Sequence, residues 1–169
     1  MTDRSEEAKN NFLNGMNCAQ AVLCAFRDRC GLDLDTALKL ASGFGGGIAR
    51  QREVCGAVSG MCMAADLIRG PGESADKAAK DEHYAFIRGL CDAFREETGS
   101  IVCRELLGLA PRQSDPPVSE ARTAAYYKKR PCADLVALAA KVLSESAGIT
   151  ATNFREKTAC GLHFPQNDV

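Results

Sequence analysis

The chain has 169 residues, 46% of them hydrophobic and 25% charged, with a net charge of −1 and a pI near 6.1. That suits one compact domain spanning residues 1–169, and the balanced charge leaves no basic footprint for a nucleic acid. No apolar run approaches the roughly 18 residues of a membrane span, and the opening "MTDRSEEAKNNF" lacks a signal-peptide core, so a cytoplasmic protein is expected.

Cap-and-stop signals around apolar positions at helical spacing predict helices along most of the chain. Ser5, with Glu6 and Glu7, opens a first helix ending near Gly15, and Asn17 caps a second, "CAQAVLCAFRDRC", closed by Gly31. Asp35 caps "TALKLA", closed by Ser42 and Gly43, and "REVCGAVSGMCMAADLIRG" carries a fourth helix to Gly70. Ser74 caps a long fifth that runs to Gly99, and Ser100 caps "IVCRELL" ahead of Gly108. The Pro-rich loop "APRQSDPPV" leads to a helix from Ser119 to about Lys129, where Lys128, Lys129 and Arg130 read as a solvated helix end. Pro131 opens "CADLVALAAKVLSES", which stops before Gly148, and residues 147–169 are expected to form a C-terminal arm. Strand alternation is weak and no βαβ rhythm appears. The expected fold is therefore all-α, a single-domain bundle of about seven to eight helices.

Nine cysteines punctuate these elements: Cys18, Cys24, Cys30, Cys55, Cys62, Cys91, Cys103, Cys132 and Cys160. In a reducing cytosol, clustered cysteines point to metal or redox chemistry, whereas isolated ones behave as small buried hydrophobes. Cys18 follows the cap Asn17, Cys55 falls in the first turn of the fourth helix, Cys103 lies three residues after Ser100, and Cys132 follows Pro131. Four helices thus begin with a thiol, where free N–H groups and the positive dipole end favour a thiolate. Cys24, Cys30, Cys62 and Cys91 fall in helix middles or ends, where no such stabilisation is expected.

If the four starts converge, electrostatics limits what they can hold. Two thiolates 4 Å apart repel by about 4 kcal/mol at an effective dielectric of 20, and a helix terminus returns only about 0.3–1 kcal/mol per charge. A cation among the sulfurs, protonation, or disulfide pairing resolves the conflict, and coordination deprotonates thiols directly. No two cysteines have the C-x2-C spacing of common zinc sites or thioredoxin-like motifs. Four thiolates from separate elements can hold a [2Fe–2S] or [4Fe–4S] cluster. Zinc stabilising an interaction module, and a metal-free thiol–disulfide oxidoreductase or sensor, remain as alternatives.

The segment "ASGFGGGIARQREVCG" lacks both the preceding strand and the Gly-Lys-Ser/Thr ending of a phosphate loop. Gly45, Gly46 and Gly47 instead read as a close backbone approach before Cys55, with N–H groups available to a bound centre. Gly56 and Gly60, four apart, suit close helix packing. His83 reads as a surface or packing residue, and His163, three residues after Cys160, gives at most a Cys–His pair. No hydrolase signature such as G-x-S-x-G is present.

Five motifs together, "NCAQAVL", "GFGGGI", "CGAVSG", "CRELLG" and "PCADLV", resemble the C-GCAxxG-C-C family of small bacterial proteins described as redox-active. The resemblance runs from about Phe12 to Val142 and implies that Cys18, Cys55, Cys103 and Cys132 are the characteristic cysteines. Here the third motif reads "CGAVSG", with Gly56 after Cys55, where the family label has GCAxxG. The expectation is a redox-active four-cysteine site holding an iron–sulfur cluster, [2Fe–2S] being the form adopted, for electron transfer or redox sensing with an unidentified redox partner. No nucleic acid and no membrane span are expected, and a homodimer is compatible with a small helical protein.

Overall fold

The computed structural model describes residues 3–110 and 115–148, so Cys160, His163 and the arm beyond Gly148 lie outside the described residues. Among the described residues the fold is all-α, as expected, with nine α-helices and no strand. They are α1 (Arg4–Leu13), α2 (Cys18–Ala25), α3 (Arg27–Cys30), α4 (Leu34–Leu40), α5 (Gly56–Arg69), α6 (Lys77–Thr98), α7 (Cys103–Leu106), α8 (Ala124–Lys128) and α9 (Cys132–Ser146). None of the described helices is long and apolar enough to cross a membrane.

Several boundaries depart from the sequence expectation for local reasons. The predicted second helix breaks at Phe26, which is fully buried and has φ −113°, so α2 and α3 are separate; Gly31 still closes α3 with φ +67°. Asp33 rather than Asp35 caps α4, because its extended backbone lets the carboxylate accept the Thr36 N–H; Asp35 instead pairs with Lys39 one turn on. Asp76 rather than Ser74 caps α6 by the same mechanism. The helix expected from Ser119 begins only at Ala124, where Thr123 accepts the Tyr126 N–H. Ser100 lies outside α7, which it supports by accepting the Val102 N–H.

Helix α2 lies at the centre, packed against α1, α4, α5 and α9. Its residues Ala19, Ala21, Val22, Leu23 and Ala25 are all fully buried, and the three alanines keep its neighbours close. Phe12, Phe26, Leu23, Met61, Phe94 and Leu143 supply the largest buried side chains, each contributing about 1.5–3 kcal/mol of transfer free energy. Helices α2 and α5 approach each other closely: a Cβ built on Gly60 would stand 2.5 Å from the Ala19 carbonyl oxygen. The Gly56–Gly60 pair is thus a packing device, and Gly56 also faces Cys18 and the Phe44 carbonyl.

Candidate functional site

The caps that start the helices also deliver the four thiols. Asn17 forms a full capping box with Gln20 and donates to the Ala41 and Ser42 carbonyls, so Cys18, at the first position of α2, is fixed against the end of α4. Cys55 is itself the N-cap of α5, where the Ala57 and Val58 N–H groups favour its thiolate although its sulfur makes no cap hydrogen bond. A single antiparallel bridge between Val54 and Val102 joins the segments ahead of α5 and α7. Through it the Cys55 N–H reaches the Ile101 carbonyl at 2.8 Å and the Cys103 N–H reaches Glu53 at 2.6 Å, which brings those two cysteines side by side. Cys132 opens α9, which packs on α2, and its thiol meets that of Cys18.

All four sulfurs line one cavity of about 280 Å3, and the eight described cysteines are free thiols. The Cys18–Cys132 hydrogen bond, with burial and the nearby Cys55 and Cys103 adding to it, holds Cys18 well above the usual thiol range. The same bond works in the opposite sense on Cys132; with help from Arg130, Arg122 and Arg52 it overcomes burial and brings that thiol down to about 7. Burial pushes Cys55 up to about 12 despite the two backbone N–H groups. Cys103 also rises through burial, offset in part by Arg52, whose Nη1 lies 4.0 Å from its sulfur.

The arginines were not foreseen, and they come from an unusual backbone. From Gly46 to Arg50 five successive residues have positive φ, including the non-glycine residues Ile48, Ala49 and Arg50, and Arg52 adds another at +63°. This left-handed turn lays Arg50 and Arg52 along the cavity wall, together with Gly45 and Gly46. Gly47 itself packs on Cys103, where a Cβ would stand 2.7 Å from the cysteine Cβ and 2.8 Å from the Glu53 nitrogen. Of the three glycines, Gly47 makes a close approach against Cys103, while Gly45 packs on Asn17 and Gly46 on Arg50.

Arg52 is only 4% exposed and donates to Asp115 at 2.6 Å, which holds the Asp115 carboxyl below its ordinary range. Arg50 bonds Glu120 at 3.0 Å, and Arg130 bonds the same carboxylate at 2.7 Å. Arg130 is thus part of the cavity wall, which corrects its assignment to a solvated helix end; its tertiary partner, Glu120, is ten residues upstream in a loop. Arg122 stacks on Phe12 and Tyr126 at 4.7 and 4.8 Å and reaches the Met16 carbonyl at 3.4 Å. Four guanidinium groups thus stand against two carboxylates around the sulfurs. Two of their buried nitrogens, Arg50 Nε and Arg122 Nη1, have no hydrogen-bond partner among the described residues. Arg52→Ala is expected to lower stability by about 2–3 kcal/mol, since it strips Asp115 of its main partner in a largely buried pair. Urea unfolding should show a lower midpoint at unchanged slope.

Among the described residues no group of three or more Cys, His, Asp or Glu side chains is placed to hold a metal ion. His83 lies elsewhere, 2.7 Å from Asp66, with both side chains on the cleft beside α6.

No curated protein and no solved structure gives a significant match to the chain. One family pattern does match, over residues 16–146, and carries all four cysteines of the cavity; its description reads "Putative redox-active protein (C_GCAxxG_C_C)", and the chain belongs to this family.

Proposed function

We propose that the cavity is a redox centre in which Cys18, Cys55, Cys103 and Cys132 ligate an iron–sulfur cluster and exchange electrons with a protein partner in the cytoplasm. The observation that carries this reading is four thiols, each at a helix start, facing one cavity in which guanidinium groups outnumber carboxylates. Such surroundings favour an anionic occupant, and a four-thiolate iron–sulfur centre is anionic. The two unpartnered arginine nitrogens offer donors to it.

The grouping of the sulfurs favours the [2Fe–2S] form. In that form each iron takes two protein ligands; here Cys18 pairs with Cys132 across α2 and α9, and Cys55 with Cys103 across the Val54–Val102 bridge. When bound, such a cluster supplies reversible one-electron transfer at a potential tuned by hydrogen bonds and burial. The chain's own contribution is specific. The Ala57 and Val58 N–H groups favour a thiolate at Cys55, Arg52 stands beside Cys103, and Tyr126 and Leu135 add apolar surface to the cavity lining.

Anaerobic purification followed by a visible spectrum and metal analysis tests this. Charge-transfer absorbance with iron and acid-labile sulfide in comparable amounts is the expected result. Colourless protein that fails to take up iron and sulfide on reconstitution overturns the cluster, and stoichiometric zinc would make the site structural.

A second reading rests on the Cys18–Cys132 contact. Two hydrogen-bonded thiols, one depressed and one raised, form an attacking and a resolving pair for metal-free thiol–disulfide exchange. In metal-free protein that reading requires a reversible two-electron titration that survives Cys55→Ser.

A further inference from the structure

A second pair of sulfurs lies outside the four-cysteine cavity. Cys62 of α5 and Cys91 of α6 face each other with their sulfurs 4.0 Å apart, both half-buried between the two helices. The pair is not part of the motif set, and its members come from separate helices, 29 residues apart. Their sulfurs stand about 2 Å farther apart than a disulfide bond requires.

The two thiols are not equivalent. Cys91 opens onto a cleft of about 590 Å3 along α6, lined also by His83, Tyr84, Arg88 and Arg95, whereas Cys62 is not part of that lining. A reagent entering the cleft therefore meets Cys91 first and finds Cys62 behind it. The local charges agree with that order. The hydrogen bond from Cys62, aided by Arg95, brings Cys91 down to about 7 against burial and Asp92. Cys62 is pushed well above the usual thiol range by the same bond, by burial and by Asp66. Nucleophilic exchange needs a thiolate at the accessible position and a second thiol within reach to resolve the product.

We propose that Cys62 and Cys91 form a second, reversible dithiol–disulfide couple, in which Cys91 exchanges with a small-molecule disulfide entering the α5–α6 cleft and Cys62 resolves the adduct. The Cys91 thiolate attacks one sulfur of the disulfide R–S–S–R. That bond breaks, one thiolate RS− leaves, and the Cys91–S–S–R bond forms. Cys62 then loses its proton and attacks the Cys91 sulfur, releasing the second RS−. The two cysteines are oxidised by two electrons and the small disulfide is reduced to two thiolates, one of which takes up the Cys62 proton and the other the proton that Cys91 had released to solvent. The product staples α5 to α6, which Asp66–His83 and the stacking of Arg69 on Phe86 at 4.2 Å already join.

Reduced full-length protein exposed to oxidised glutathione, quenched with acid, alkylated and mapped by peptide mass spectrometry tests the couple. Wild type is expected to yield a Cys62–Cys91 cross-linked peptide. Cys62→Ser should instead trap a glutathionyl adduct on Cys91, and Cys91→Ser should leave Cys62 unmodified. Cys62→Ala, which tolerates loss of the hydrogen bond differently, should trap the same adduct. Absence of the Cys91 adduct from both Cys62 variants, or cross-linking of Cys62 or Cys91 only to other cysteines, overturns the proposal. Because neither residue faces the four-cysteine cavity, retention of iron in these variants separates this result from that of the cluster.

Discussion

Cys132→Ser is expected to abolish the redox activity of the four-cysteine cavity, whichever chemistry that cavity performs. Its sulfur is a cluster ligand in the first reading and the attacking thiolate in the second, and no neighbouring group can replace it at the first position of α9. Loss of a partner that merely orients a metal ligand already costs about 10–100-fold in affinity, so loss of a ligand should cost at least that much in iron retention. Cys18→Ser should behave alike. The deciding variants are Cys55→Ser and Cys103→Ser. Under the cluster reading they lose the visible absorbance as completely as Cys132→Ser, while under the dithiol reading they keep the two-electron couple. Cys24→Ser and Cys62→Ser, whose sulfurs do not line the cavity, should retain the centre. Equal iron content in all six variants would remove these four cysteines from consideration as ligands.

Gly60→Ala should cause a large loss of stability by forcing the central helix pair apart. The new Cβ would stand 2.5 Å from the Ala19 carbonyl oxygen and 3.0 Å from its Cα. Both are backbone atoms of the central helix, so relief requires α2 and α5 to move apart, and with them Cys18 and Cys55. Overpacking of this kind costs about 1–3 kcal/mol, occasionally more, and the upper end is expected here because nothing flexible can yield. For a chain of this size that corresponds to a fall in Tm of roughly 6–12 °C. Gly89→Ala provides the opposite sign, since its Cβ would meet nothing within 4 Å inside the long helix α6. There the gain in helix propensity is about 1 kcal/mol. Thermal unfolding of the two variants beside wild type checks both; a neutral Gly60→Ala would mean that α2 and α5 are not held as closely as described.

What the sequence disclosed follows from how local each signal is. Asn17, Pro131 and the glycine stops act within one turn of themselves, so the starts of α2 and α9, and hence the positions of Cys18 and Cys132, were legible. Asp33 and Asp76 were misjudged in favour of neighbours two residues away, because which oxygen reaches an N–H depends on the backbone angle of the cap. The arginine wall was hidden for a stronger reason. Arg50 and Arg52 owe their place to a left-handed turn that no propensity favours, and Arg130 owes its role to Glu120 across a loop. Cys62 and Cys91 looked inert because helix middles offer no dipole; their interaction is a property of two helices and exists in neither alone.

The turn from Gly46 to Arg50 has a stereochemical consequence. Each L-residue held in the left-handed region costs roughly 1–2 kcal/mol, and Ile48, Ala49 and Arg50 all sit there. The opposite enantiomer reverses that preference, so this stretch favours D-amino acids in the way the surrounding helices favour L. A chain in which Ala49 alone is replaced by its mirror image would keep the same atoms in the cavity wall while removing part of the torsional penalty. Chirality, which elsewhere in this protein drives the backbone into its fold, here opposes the fold. The ion pairs of Arg50 and Arg52 with Asp115 and Glu120 are what hold the cavity's rim against the natural handedness of the chain.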